Sequence, residues 1–161
     1  MGTSLSSCTR TLLLVCTGNT CRSPMAEAIA RDLLEKKHGV RERGLASVGL
    51  RVASAGVMTS GGSPASGEAV DVMASMGLDL SGHVSQPVTR ELLSESSLIL
   101  AMTRGHLETL LAAAPDVRDR AALLDPEGDI DDPIGQPAEV YERVAKRMRV
   151  LLTAVIENYD L

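Results

Sequence analysis

Residues 12–15, Leu-Leu-Leu-Val, form an unbroken apolar run that stops on Cys16, crosses Thr-Gly-Asn-Thr-Cys and reaches Arg22-Ser23-Pro24, where a helical pattern begins. A run this short and this apolar fits a strand buried on both faces, as strands are in a parallel sheet covered by helices. From Ser23 onward, MAEAIARDLLEKKHG spaces its apolar residues for a helix, with Pro24 in the first turn and Gly39 as terminator. A buried strand that passes through a loop of small residues straight into a helix commits the chain to an α/β architecture.

The same alternation continues downstream. Residues 49–55 form a second apolar segment, followed by a loop rich in Gly, Ser and Pro and by a helical pattern over 66–76 that Gly77 closes. Residues 97–102 read as a third strand and 121–124 as a weaker fourth, with a helix between them ending before Pro115. After DPEGDIDDPIGQP, residues 138–158 place Val140, Val144, Met148, Leu151, Leu152 and Val155 on one side of a final helix. The expected fold is α/β: one three-layer domain, a four-stranded parallel sheet flanked by helices, with a loop of small polar residues after strand 1. With 161 residues the chain suits a single domain over 11–161, behind an N-terminal extension of residues 1–10.

A net charge of −5 with scattered basic residues gives no electrostatic footprint for nucleic acid, and no apolar stretch reaches 18 residues, so neither a nucleic-acid partner nor a membrane span is expected. The N-terminus lacks the apolar core and cleavage site of a signal peptide, which predicts a cytoplasmic protein. Cys8, Cys16 and Cys21 cannot all pair internally and are expected to be thiols.

A loop leading from a strand end into a helix presents unpaired backbone N–H groups and a positive dipole end, which together favour an anion. Gly18 and Asn19 tolerate positive φ, so the loop can curl its N–H groups inward around phosphate oxygens. Thr17, Gly18, Asn19, Thr20, Cys21, Arg22 and Ser23 would form this cradle, with the Arg22 guanidinium taking two oxygens at once. Cys16 at its base meets the conditions that favour a thiolate and is the candidate nucleophile, with the Ser23 hydroxyl beside the sulfur. A lone cysteine at a strand end is usually a small core residue; the spacing Cys-x5-Arg-Ser, with Gly-Asn inside it and a helix behind, points instead to phosphoryl transfer to sulfur.

CTGNTCRSPMAEA, SAG at 54–56, HVSQPVT from His83, LILAMT and the late DPIG together resemble the low-molecular-weight protein tyrosine phosphatase family over nearly the whole chain. The resemblance implies a phosphocysteine intermediate, no metal and no cofactor, phosphorylated proteins as substrates, and a monomer. By motif, Cys16 is the nucleophile, Arg22 binds phosphate, Ser23 supports the thiolate, and Asn19 with His83 braces the loop. A general acid is needed for a leaving group of high pKa, and two Asp-Pro pairs compete. Asp125-Pro126 follows the fourth strand, whereas Asp132-Pro133-Ile134-Gly135 precedes the last helix and matches the family's Asp-Pro-aromatic motif, so Asp132 is the choice.

Two positions bear on specificity. Ile134 stands where the family usually places an aromatic, and the chain has no Phe or Trp, only Tyr141 and Tyr159. Thr20 occupies a loop position that usually carries a bulky aliphatic residue in the tyrosine phosphatases, and a threonine there resembles the bacterial protein arginine phosphatase branch. Phosphoarginine is therefore the expected substrate and phosphotyrosine the alternative. Cys21, five positions after Cys16, invites a protective loop disulfide. An arsenate reductase would relay oxidation to further cysteines, and none follows Cys21. A non-catalytic phosphoprotein-binding module would need neither the nucleophile nor the acid.

Overall fold

A strand is buried on both faces only where helices roof both, and this chain lays down its roofs in sequence order. The computed structural model describes residues 8–41 and 44–161. Strands β1 (Arg10–Cys16), β2 (Leu50–Gly56), β3 (Leu98–Ala101) and β4 (Ala121–Leu123) alternate with helices α1 (Arg22–His38), α2 (Gly67–Ser75), α3 (Arg90–Glu95), α4 (Arg104–Ala113) and α5 (Ala138–Asn158). All strands pair in parallel in the order β2-β1-β3-β4.

β1 lies inside the sheet, and its side chains alternate between two cores. Leu12, Leu14 and Cys16 pack with Met25 and Ile29 of α1 and with Val144, Met148 and Leu152 of α5. Leu13 and Val15 pack with Ile99, Leu92, Leu110 and Val117 on the other face. Both faces are thus dry, which is why residues 12–15 carry no polar position. Helices α1, α2 and α5 form one outer layer, α3 and α4 the other.

The expected elements are present with shifted edges. β1 begins at Arg10, whose N–H donates to the Gly49 carbonyl, so the expected extension ends before that residue; its first seven residues lie outside the described ones. α3 has no counterpart in the periodicity reading. It is six residues long and buries only Leu92 and Leu93, too few positions to define a period, and Thr89 caps it by accepting the Leu92 N–H at 3.1 Å. None of the described helices is long and apolar enough to cross a membrane.

The strand order turns in opposite directions on the two sides of β1, toward β2 and toward β3. In open α/β sheets this switch point opens a crevice at the carboxyl ends of the strands. The loop after Cys16 and the N-terminus of α4 both face it.

Candidate active site

The curl of residues 17–21 depends on Asn19, which holds φ at +56°, in the left-handed region that Asn tolerates better than most residues. That turn brings the Asn19 N–H to the Cys16 sulfur at 3.3 Å, while the Ser23 Oγ lies 2.9 Å from the same sulfur. Cys16 itself is 3 % exposed. No side chain caps the start of α1, so its first N–H groups stay free to face an anion.

The Asn19 side chain holds the loop from behind. Its Nδ2 donates to Ser23 Oγ at 2.8 Å and to Ser54 Oγ at 2.9 Å, and its Oδ1 accepts the Gln86 N–H at 3.0 Å. Because the Ser23 oxygen already accepts from Asn19, its own proton is available to the Cys16 sulfur, the direction that stabilises negative charge there. The Ser54 hydroxyl donates onward to the Glu27 carboxylate, and the His83 Nε2–H donates to the Asn19 carbonyl at 2.7 Å. The sequence reading placed Asn19, Ser23 and His83 in this support; Ser54, Gln86 and Glu27 join them from three separate segments, each inside a motif that carries the resemblance but given no role there.

Gly56 pairs in register with Cys16 at the end of β2. A Cβ at this position would stand 2.5 Å from the Thr17 carbonyl oxygen and 3.1 Å from the Asn19 nitrogen, so the cradle can pass this close only over a glycine.

Thr20 and Cys21 are tied to the outer layer. The Ser66 N–H donates to the Thr20 carbonyl at 2.9 Å, and the Cys21 thiol donates to Ser66 Oγ at 3.3 Å. The Tyr141 hydroxyl lies 3.5 Å from the Cys21 sulfur, and burial pushes its pKa up to about 12. Cys21 therefore offers the cradle its backbone, while its side chain faces Ser66 and Tyr141. Cys16 and Cys21 are both free thiols.

Arg22 is 5 % exposed and spans two loops. One guanidinium nitrogen donates to the Ile130 carbonyl at 3.0 Å and the other lies 3.4 Å from Asp132 Oδ2. Asp132 Oδ1 accepts the Ile134 N–H at 3.2 Å, a turn that holds the carboxylate half-exposed at the mouth of the cradle beside the exposed Ile134. The other Asp-Pro pair is differently occupied. Asp125 bonds Arg147 at 2.9 Å and the Glu127 N–H at 3.0 Å; burial raises its pKa, but these two donors outweigh burial and leave it below the ordinary carboxylate value. Only Asp132 of the two reaches Arg22.

His106, which sequence reasoning did not single out, comes from the first turn of α4. Its Nε2 lies 2.7 Å from Thr17 Oγ1 and the ring is buried. Burial lowers its pKa, the Arg22 charge lowers it further, and Asp129 and Asp132 oppose them with less effect.

The family described as low molecular weight phosphotyrosine protein phosphatase matches residues 11–160. This chain belongs to that family. A protein-arginine-phosphatase of Geobacillus stearothermophilus is 36 % identical over 152 residues, 91 % of this chain and 94 % of the relative. The low molecular weight protein-tyrosine-phosphatase Etp of Escherichia coli (strain K12) is 35 % identical over 136 residues, 83 % of each chain. Among solved structures, a YwlE mutant from Bacillus subtilis superposes with a TM-score of 0.83 at 30 % identity, covering 94 % of this chain and 99 % of that one. A low molecular weight protein tyrosine phosphatase from T. tengcongensis gives 0.82 at 36 % identity, covering 92 % and 99 %. This low molecular weight phosphatase is thus a phosphoprotein phosphatase, a hydrolase, and relatives named for arginine and for tyrosine stand at nearly the same identity.

Proposed function

We propose that this phosphatase hydrolyses phosphoarginine in proteins through a phosphocysteine intermediate, with Cys16 as nucleophile, Arg22 and the 17–23 backbone holding the phosphoryl group, and Asp132 as general acid and base. The cradle binds the phosphoryl oxygens, and the Cys16 thiolate attacks phosphorus. As the S–P bond forms and the P–N bond breaks, Asp132 delivers its proton to the departing guanidinium nitrogen. Arginine has an unperturbed pKa above ~12, so it strongly requires that proton to leave. A water molecule then attacks phosphorus while the Asp132 carboxylate takes its proton. The S–P bond breaks and the thiolate returns to the Ser23 hydroxyl and the Asn19 N–H.

The observation that carries the arginine reading is a cradle mouth without an aromatic ring. Tyr141 is buried beneath the loop and Tyr159 sits at the far end of α5, about 30 Å along that helix from its start. A phosphotyrosine ring would forgo stacking typically worth ~0.5–1.5 kcal/mol. Thr20, small and polar, leaves room beside the phosphorus-linked nitrogen, and the Asp132 carboxylate can pair with a guanidinium.

The test is kcat/KM for phosphoarginine and phosphotyrosine measured side by side on wild type and Thr20→Ile, with Cys16→Ser as blank. The expected outcome is a wild-type preference for phosphoarginine that Thr20→Ile inverts. A preference for phosphotyrosine in both proteins would overturn the substrate assignment and leave the cysteine mechanism in place.

A further inference from the structure

We infer that His106 is a positioning residue of the phosphate cradle: it takes up a proton from solvent when a phosphate dianion occupies the loop, and in that form it turns the Thr17 hydroxyl proton toward the bound phosphoryl group. The inference rests on the reading of residues 17–23 as a phosphate site.

The geometry leaves the ring a choice of tautomer. His106 is 7 % exposed, its Nε2 touches Thr17 Oγ1, and its Nδ1 is buried with no hydrogen-bond partner. A neutral ring carries one N–H. If that proton is on Nε2, Nδ1 is a buried acceptor without a donor; if it is on Nδ1, a buried donor has no acceptor and Thr17 gives its own proton to Nε2. Nδ1 has no partner in either form; what the proton's position decides is the Thr17 hydroxyl, which keeps its own proton when Nε2–H donates to it and gives that proton to the ring when Nε2 accepts.

The surrounding charges bias that choice. The Arg22 charge opposes protonation of the ring, whereas Asp129 and Asp132, in the loop before α5, favour it. Asp129 is held in place by accepting the Arg104 N–H at 2.8 Å at the start of α4. A dianion bound to Arg22 would offset the one positive charge that opposes protonation and leave the two carboxylates to act. In the imidazolium both nitrogens are donors, so Nε2–H must donate to Thr17 Oγ1. Thr17, which is exposed at the first position after Cys16, then has its hydroxyl proton free to donate to a phosphoryl oxygen. Phosphate binding and His106 protonation thereby reinforce each other, as linkage requires.

The experiment follows the imidazole resonances of His38, His83 and His106 by NMR as pH is varied, with and without saturating inorganic phosphate, assigning His106 by its loss in His106→Asn. The expected result is that His106 titrates at higher pH with phosphate than without it, by about one pH unit or more. Independently, KM should rise about three- to tenfold in His106→Asn at pH 6, and much less at pH 8, with kcat little changed. An unshifted His106 midpoint with phosphate bound overturns the inference, and the wild-type spectra decide this even if His106→Asn is unstable. Failure of phosphate to perturb the amides of residues 17–23 at all overturns both the inference and the reading of the cradle.

Discussion

Two aspartates precede prolines in the same long loop, and they differ because of what each touches. Asp132 reaches Arg22 at 3.4 Å from an exposed turn, while Asp125 is buried against Arg147. Asp132→Asn should lower kcat about 10²–10⁴-fold, the range for a general acid and base, whereas Asp125→Asn should keep kcat within about threefold and lower the melting temperature. Equal losses of kcat would contradict the assignment. His106 makes a second prediction at this scale, on stability in the absence of phosphate. Its folded pKa is depressed, mainly by burial, so the unfolded chain binds the proton more readily. The stability gained by keeping the ring neutral is complete above the unfolded value of about 6.5 and is lost as pH falls through it toward the lower folded value. Urea midpoints measured from pH 8 down to 5 should therefore fall more steeply below pH 6.5 in wild type than in His106→Asn.

At the scale of elements, the cradle is a loop clamped between two strand ends and two helix starts. β2 contributes Gly56, whose carbonyl accepts the Val88 N–H and whose N–H donates to the Gln86 carbonyl, each at 2.9 Å. With both backbone groups committed, neither this strand end nor the Thr17 carbonyl 2.5 Å from a would-be Cβ can yield easily. Gly56→Ala is expected to cost about 1–3 kcal/mol of stability and to lower kcat/KM with it, read by urea unfolding and by turnover of the same preparation. Full activity in a folded Gly56→Ala protein would mean that the loop is not held by close packing. The α2 start adds the opposite clamp through Ser66, which accepts the Ala69 and Cys21 donors while its own N–H holds Thr20. Thr20 is thus held by a fixed backbone, the condition its proposed specificity role needs.

For the molecule as a whole, the site joins parts that fold from distant segments: the β1 end, the α4 start and the acid loop, which hangs from β3 through the Ile130 N–H bonded to the Met102 carbonyl at 2.8 Å. Arg22 closes this ring by holding both Ile130 and Asp132. A ligand bound there stabilises the folded state by mass action. Inorganic phosphate at ten times its Kd should add about 1.4 kcal/mol, or about 3–5 °C in melting temperature for a domain of this size. Arg22→Ala should abolish the phosphate-induced shift whatever its own melting temperature; an equal shift in both proteins would place the anion elsewhere.

What the sequence determined by itself was local. A short apolar run that ends on a loop of small residues fits a doubly buried strand, Gly-Asn supplies the backbone freedom of the curl, and Cys-x5-Arg-Ser puts the proposed nucleophile and phosphate ligand on one loop, so β1, that loop and α1 were legible from local pattern, as was α5 from its long apolar stripe. The partners that hold and tune the cradle were not. Glu27, Ser54, Gly56 and Gln86 lie inside the motifs that carry the resemblance and His106 lies in none, but no spacing says which of them touch; they meet around Cys16 because parallel pairing aligns the carboxyl ends of β1, β2 and β3 at one edge of the sheet. The choice of Asp132 over Asp125 was already made by the Asp-Pro motif before the last helix; what tertiary structure adds is the contact, since the folded loop delivers the Asp132 carboxylate to Arg22 and that of Asp125 to Arg147. Local chemistry depends on neighbours in sequence, but burial and charge depend on neighbours in space, and only the packed sheet decides who those are.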